Sequence, residues 1–490
     1  MDSSGLKKRS TLFKNLVSVS LGQLASGLLY MAALGLIARH LGAASLGEYS
    51  YIFSFVNIFQ FVADLGLATI FIREVSKDKG LLGPMLGNLK SLYWVFSLIS
   101  MAVIISTVGL TTNDPEARLA AWPAAIATVA LFHSFGYATV FRAFEHMEIN
   151  SLGLVFSRLL FLIFTIAAVK LQGGLVGIYT ALALSSLALW WTYYAIVSKR
   201  YIRPKLGFDL PQWRYMLREG SPTGGTIMLR KSTWYIDIFM LKALATSAAV
   251  GLFSSIYQII QMLYLVPWTL SVAFMPVFSR LNRDNPRQLH EMLINLLKLS
   301  WLVTLPIAVI VSVTSGQIIA FLFGEGFSQA AGGLSILIWT IPFLFPTSLF
   351  FFFFAAIRRQ KSYLVCVGIT IFIKIFSNLV LINKMGYIGS CWATILADLF
   401  HYWIGIWLLK RYEFPVKTVR TIGLPALGSL LAGICLIPVI RSCSIPLAGI
   451  LIFLSLAVYA GVIFFSRYIK KEDILSTLFP ARGAGMEKIL

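Results

Sequence analysis

Arg230, Lys231 and Asp237 stand in the middle of an otherwise apolar stretch, Thr226 to Leu241, with the sequence TIMLRKSTWYIDIFML. Arginine offers a planar fork of donors that grips phosphate oxygens in pairs, and a neighbouring lysine adds a second, more mobile positive charge. Two cations against one carboxylate leave a net positive site, suited to a dense anion. In a helix Thr226, Arg230, Trp234 and Asp237 fall on one face, with Lys231 about 100° round from Arg230. The plainer reading is an Arg230–Asp237 pair that only neutralises itself. Pro222, Gly224 and Gly225, just upstream, offer a place for the helix to break or bend.

Composition says what kind of element holds such a stretch. Of the 490 residues 58% are hydrophobic and 12% charged, with a mean hydropathy of +0.81. A soluble domain carries about a quarter charged residues, so this chain is a polytopic membrane protein. A bilayer core about 30 Å thick needs about 20 apolar residues per helix, and the chain holds fourteen such runs, the first at 12–38, the second at 46–72, the seventh at 220–242 and the last at 446–466. The runs are continuously apolar and lack the period-2 alternation of a barrel strand. Ser315 to Gly333 has an apolar core too short to cross and reads as an interfacial or re-entrant turn. In the seventh run Arg230 lies near the bilayer midplane, where a charge costs at least about 2.5–3.5 kcal/mol and should face a cavity or a partner.

The formal net charge of +21 tests the arrangement. With both termini cytoplasmic, most of the 41 Lys and Arg fall in inside segments, among them Lys7, Arg73, Lys199, Arg283, Arg358, Lys410 and Lys471. This obeys the positive-inside rule for an even number of spans. It also removes nucleic acid as a partner: the cations lie scattered through short loops beside anionic membrane lipids, not along one soluble face. The basic N-terminus before a long apolar run reads as a retained first span. Cys366, Cys391, Cys435 and Cys443 lack metal-ligand spacing and read as free thiols. No metal site or cofactor is expected.

An internal repeat organises the spans. At an offset of 204 Gly47 matches Gly251; at 212 Gly174, Gly177 and Ala181 match Gly386, Gly389 and Ala393. Six spans separate the partners, so both halves face the same way. The expected fold is therefore an all-α polytopic membrane protein of about 14 transmembrane helices. It comprises an N-terminal lobe at 1–205, a parallel six-helix C-terminal lobe at 206–415, and two extra helices with a cytoplasmic tail at 416–490. Arg158 in the fifth span and Lys374 in the eleventh occupy corresponding helices, since the 212 offset carries Arg158 onto Thr370, one turn from Lys374. They are candidates for the two walls of one cavity. The alternative for Arg158 is snorkelling to the cytoplasmic end.

Four stretches, Ala38–Tyr51 (ARHLGAASLGEYSY), Ala63–Leu67 (ADLGL), Phe274–Leu281 (FMPVFSRL) and Phe321–Leu337 (FLFGEGFSQAAGGLSIL), resemble the polysaccharide flippases of the multidrug/oligosaccharidyl-lipid/polysaccharide exporter superfamily. The resemblance runs nearly end to end. It implies a flippase, not an enzyme, that moves an undecaprenyl-diphosphate-linked oligosaccharide, of the O-antigen type used for lipopolysaccharide, across the bacterial cytoplasmic (inner) membrane. It further implies alternating access, H+ or Na+ as coupling ion, and a polysaccharide polymerase as a downstream partner. Arg230, Lys231, Arg158 and Lys374 then become candidates for the diphosphate, Asp237 for holding Arg230, and Trp234 for stacking on a sugar ring or for packing.

Other polar groups at membrane depth are Asp64, His133, Asp398 and His401; the last two, at i and i+3, could pair or bind the coupling ion. Three rival readings stand beside the flippase. A multidrug exporter of the same superfamily moves organic cations and would need acidic residues facing them. A membrane-embedded polymerase or ligase would place acid and base residues on a sizeable outer loop, whereas the outer loops hold only Asp114, Glu116 and Glu325 as acids. A scaffold subunit would leave the buried charges as an unexplained cost.

Overall fold

A computed structural model describes residues 3–440 and Tyr459. These residues form sixteen α-helices joined by turns and short 3-10 segments, with no strand among the described residues. In chain order they are α1 (Ser3–Asp64), α2 (Leu67–Lys77), α3 (Leu82–Thr111), α4 (Pro115–Ala143), α5 (Met147–Lys170), α6 (Gly174–Arg200), α7 (Leu210–Ser232) and α8 (Ile236–Leu244). Then follow α9 (Ser247–Asp284), α10 (Pro286–Val313), α11 (Ser315–Phe323), α12 (Ala330–Leu337), α13 (Ile341–Ala356), α14 (Gln360–Met385), α15 (Tyr387–Arg411) and α16 (Thr418–Ile440).

Ten helical runs among the described residues are long and apolar enough to cross a membrane. The first of them, Val19–Gln60, holds two expected spans, because Gly42 at φ 75° leaves the helical region and kinks α1 between them. The second span ends at Asp64 and not at residue 72: Leu65 (φ 38°) and Gly66 (φ 78°) turn the chain into the separate helix α2. That helix buries Leu67, Ile70, Phe71 and Val75 and exposes Arg73 and Lys77, the pattern of a surface helix. Ser315–Gly333 forms the nine-residue α11 and a 3-10 turn, too short to span, as its apolar core requires. Apart from Tyr459, the expected fourteenth span at 446–466, with Cys443 and the C-terminal tail, lies outside the described residues; Cys366 and Cys391 are buried thiols outside any disulfide.

The chain packs as two compact units, residues 1–255 with 322–327, and residues 256–321 with 328–490; the division falls inside α9. In the first unit Leu67, Phe71, Leu89, Phe141, Val197 and Met216 form one core. A stripe of buried alanines on α4 (Ala117, Ala120, Ala121, Ala124) lets it lie close along α6, as small residues do between helices in lipid. The second unit has its own core of Phe278, Leu293, Trp301, Leu349, Phe353 and Leu409.

One matched pair of the repeat, Gly47 and Gly251, meets in the fold. A methyl group on Gly47 would lie 1.8 Å from the Ser247 carbonyl oxygen, and one on Gly251 1.9 Å from the Ala43 carbonyl oxygen. Both contacts pair residues four apart in one helix with their counterparts at the same offset of 204. The crossing is thus reciprocal, in the manner of a two-fold interface, and only a residue without Cβ fits either side.

Candidate functional site

The expected seventh span is not a continuous helix. The chain stays helical through Pro222, Gly224 and Gly225, and breaks instead at Thr233–Tyr235, between α7 and α8. Gly224 does not hinge, because it is packed: a Cβ there would lie 2.1 Å from the Leu65 carbonyl carbon, and Gly220 and Gly66 approach as closely. Pro222 removes the N–H that would reach the Arg218 carbonyl, and the Ser221 hydroxyl donates to that oxygen at 3.4 Å. The break falls in Ser-Thr-Trp-Tyr, where hydroxyls compete for the backbone and bulky side chains disfavour the helix.

A break among apolar residues leaves backbone groups that lipid cannot satisfy, and the segment satisfies them itself. The Thr233 hydroxyl donates to the Arg230 carbonyl at 2.6 Å, the Trp234 N–H to the Lys231 carbonyl at 3.0 Å, and the Tyr235 N–H to the Ser232 carbonyl at 3.0 Å. Arg230 and Lys231 sit in the last turn of α7 and Asp237 in the first turn of α8. Each charge is therefore placed where a helix dipole favours it, cations at a C-terminal end and the carboxylate at an N-terminal one. Arg230, Lys231 and Trp234 are half-buried and Asp237 is 0% exposed; all four are engaged by neighbouring groups. The helix expected to carry Arg230, Trp234 and Asp237 together stops at Ser232 and resumes at Ile236.

Arg158 lies half-buried on α5, with its guanidinium 4.6 Å from the centre of the Tyr30 ring. Tyr30 is itself stacked between Phe53 and Phe161, and its hydroxyl meets that of Tyr49 at 3.2 Å. The arginine is held by an aromatic face, and no carboxylate forms an ion pair with it among the described residues.

In the other unit Lys374 is 4% exposed, and Thr370 and Asn378 lie one turn before and after it on the same face of α14. Ser390 on α15 donates to the Asn378 side-chain oxygen at 2.9 Å, and Thr394 is buried one turn further on. The Lys374 ammonium lies 5.9 Å from the centre of the Tyr257 ring. A buried ammonium among hydroxyls and an amide is costly to desolvate, which marks the cluster as more than packing.

The remaining polar groups are engaged locally. Asp64 accepts from the Ala68 N–H at 2.9 Å and the Tyr93 hydroxyl at 3.0 Å, so it ties α2 to the end of α1. His133 lies between two indoles, tilted against Trp94 with ring centres 4.4 Å apart and stacked on Trp190 at 4.9 Å. His401 bonds the Tyr363 hydroxyl at 3.0 Å. One constellation was not anticipated from sequence. Glu48, 6% exposed, pairs with Lys242 and accepts from the Ser247 hydroxyl at 2.6 Å and the Thr112 hydroxyl at 3.4 Å. Its signal was available: Glu48 follows the repeat glycine Gly47, and Ser247 is the residue that Gly47 touches.

The family model described as polysaccharide biosynthesis protein matches residues 12–282, more than half of the chain, and the MatE model matches residues 222–380. No curated protein matches the chain at a significant level. Among solved structures, the lipid II flippase MurJ in an inward closed conformation is 16% identical, covers 92% of this chain and 99% of its own, and superposes with a TM-score of 0.77. An inward-facing multidrug resistance MATE family transporter of the MOP superfamily is 16% identical, over 81% of this chain and 98% of its own, with a TM-score of 0.68. A MOP superfamily transporter from Pyrococcus furiosus is 16% identical over 82% and 95%, with a TM-score of 0.60. At such identities the likeness establishes the fold, while the family rests on the sequence match. The chain belongs to the polysaccharide biosynthesis protein family, and its all-α fold is similar to those of the MurJ flippase and the MATE transporters.

Proposed function

We propose that the protein is a flippase that carries an undecaprenyl-diphosphate-linked oligosaccharide, of the type used for O-antigen, from the inner to the outer leaflet of the bacterial cytoplasmic membrane. Its termini lie in the cytoplasm, and translocation proceeds by alternating access of two lobes, 1–205 and 206–415, coupled to H+ or Na+. A polysaccharide polymerase takes the product, and the flippase itself carries out no catalytic step.

The observation that carries this reading is the broken helix at Thr233–Tyr235, with Arg230 and Lys231 in one adjoining turn and Asp237 in the other. A diphosphate is a dense anion that must cross a low-dielectric core, and two adjacent cations with different donor geometries suit its oxygens. Asp237 orients the arginine, and Trp234, within the break, offers a ring to the first sugar. Arg158 and Lys374, each within its own unit, are further cations that a diphosphate would meet in that unit. The excess of cations disfavours export of cationic drugs, for which like charge is a barrier.

The test is genetic. In cells that depend on this protein for surface glycan, Arg230→Ala and Lys231→Ala, made separately, should each abolish the glycan at unchanged protein level. Normal glycan in both variants would remove the diphosphate site.

A further inference from the structure

The segment joining α6 to α7, residues 201–209, is pinned and not slack. Asn88 on α3, only 3% exposed, accepts the Asp209 N–H at 2.8 Å and donates to the Gln212 side chain at 2.5 Å. Backbone meets backbone nearby: a Cβ on Gly87 would lie 3.0 Å from the Lys205 carbonyl oxygen, and one on Gly207 3.1 Å from the Asn88 nitrogen. Ile202 reaches back to Gly83. The segment therefore lies against the first two turns of α3, where an apolar helix enters the membrane and where α6 leaves it.

On this fixed plate three apolar side chains lie between cationic ones, and all of them are exposed. Leu206, Phe208 and Leu210 are 50%, 74% and 72% exposed, and Phe208 rests on Trp213 at 6.1 Å between ring centres. Arg203, Lys205 and Arg214 are exposed and form no ion pair among the described residues. The acid within the segment, Asp209, is used to cap α7 through the Gln212 N–H.

We propose that residues 202–214 form an interfacial anchor that binds the anionic headgroups of the adjoining lipid leaflet. Leu206, Phe208 and Leu210 enter the boundary between headgroups and acyl chains. Arg203, Lys205 and Arg214 take the phosphates. Position decides the occupant: apolar side chains at the depth of the first turns of a membrane helix meet lipid, and cations beside them match an anionic leaflet. Since this segment joins the sixth and seventh spans, the composition of that leaflet then bears on the movement of α7, which ends in the broken helix.

The test uses the whole protein in nanodiscs of phosphatidylcholine alone or with increasing phosphatidylglycerol, and reads hydrogen exchange over residues 202–210. Phosphatidylglycerol should slow exchange there severalfold, and salt at about 1 M should reverse the effect. Replacing Arg203, Lys205 and Arg214 by alanine one at a time should weaken the apparent affinity by about fivefold for each cation removed. Exchange over residues 83–88 should stay unchanged, which shows that the variants are folded. Inorganic phosphate in neutral discs should have no effect. Exchange indifferent to phosphatidylglycerol in the wild type would overturn the anchor, as would equal protection by free phosphate or by neutral lipid.

Discussion

Arg158 on α5 and Lys374 on α14 occupy corresponding helices of the sequence repeat, one turn out of register, and each lies near a tyrosine ring, yet the two units bury them to different extents. Arg158 is half-buried over the face of Tyr30, within a stack that includes Phe53 and Phe161. Lys374 is almost fully buried, 5.9 Å from the centre of the Tyr257 ring, with the polar side chains of Thr370 and Asn378 one turn to either side of it on α14. An aromatic face attracts a cation without quenching its charge, and a weakly hydrated guanidinium gives up little water to reach it. An ammonium is strongly hydrated, and hydroxyl and amide oxygens must replace that water when it is buried. The repeat thus places each cation on a corresponding helix but not at a matched position, and the depth of burial decides how much each position costs. The costlier one, Lys374, is the harder to explain without a function.

That contrast can be broken most sharply at Lys374. Lys374→Met removes the charge while keeping the volume. It should leave thermal unfolding unchanged or raise its midpoint, since buried charges replaced by apolar isosteres are often tolerated or stabilising. Transport should fall by the loss of about 2–5 kcal/mol of anion binding, measured on the same preparation. A variant with a lowered unfolding midpoint and wild-type transport would reverse the assignment.

The scaffold half of the comparison is tested at the reciprocal glycines. Gly47→Ala and Gly251→Ala should destabilise by similar amounts, about 1–3 kcal/mol or more, because each would drive a methyl group into the opposite backbone. Markedly unequal losses would show that the crossing is not symmetric in energy. At Arg158 the effect is smaller: Arg158→Met should cost about 1–2 kcal/mol, and Arg158→Lys should recover part of it, as read by thermal unfolding. Smallest of all, Tyr30→Phe keeps the ring and loses only the hydroxyl contact to Tyr49. About 0.5–1 kcal/mol is expected, with transport near the wild-type level.

The all-α membrane fold was legible because long apolar runs leave few alternatives, and the repeat was legible because backbone contact between helices demands glycine. The glycines at 47 and 251, read from sequence only as small packing residues, turn out to touch each other. The break in the seventh span was foreseen but misplaced. Pro222, Gly224 and Gly225 are the usual breakers, yet Gly224 is held against Leu65 and Gly66, a tertiary contact that no local pattern reveals. The real break uses Thr233, whose hydroxyl takes over a carbonyl that the helix abandons. Glu48 escaped notice for a related reason: its partners Lys242, Ser247 and Thr112 are distant in sequence and come together only in the fold.

The central claim is that Arg230 and Lys231 bind the diphosphate of a lipid-linked oligosaccharide during its passage. Its most direct measurement places the purified protein in vesicles with such a lipid and reads, with a leaflet-specific probe, how much reaches the opposite leaflet. The wild type should move the lipid, and Arg230→Ala and Lys231→Ala should each reduce movement to the level of protein-free vesicles while remaining folded. Movement by both variants at the wild-type rate, or none by the wild type, would contradict the claim.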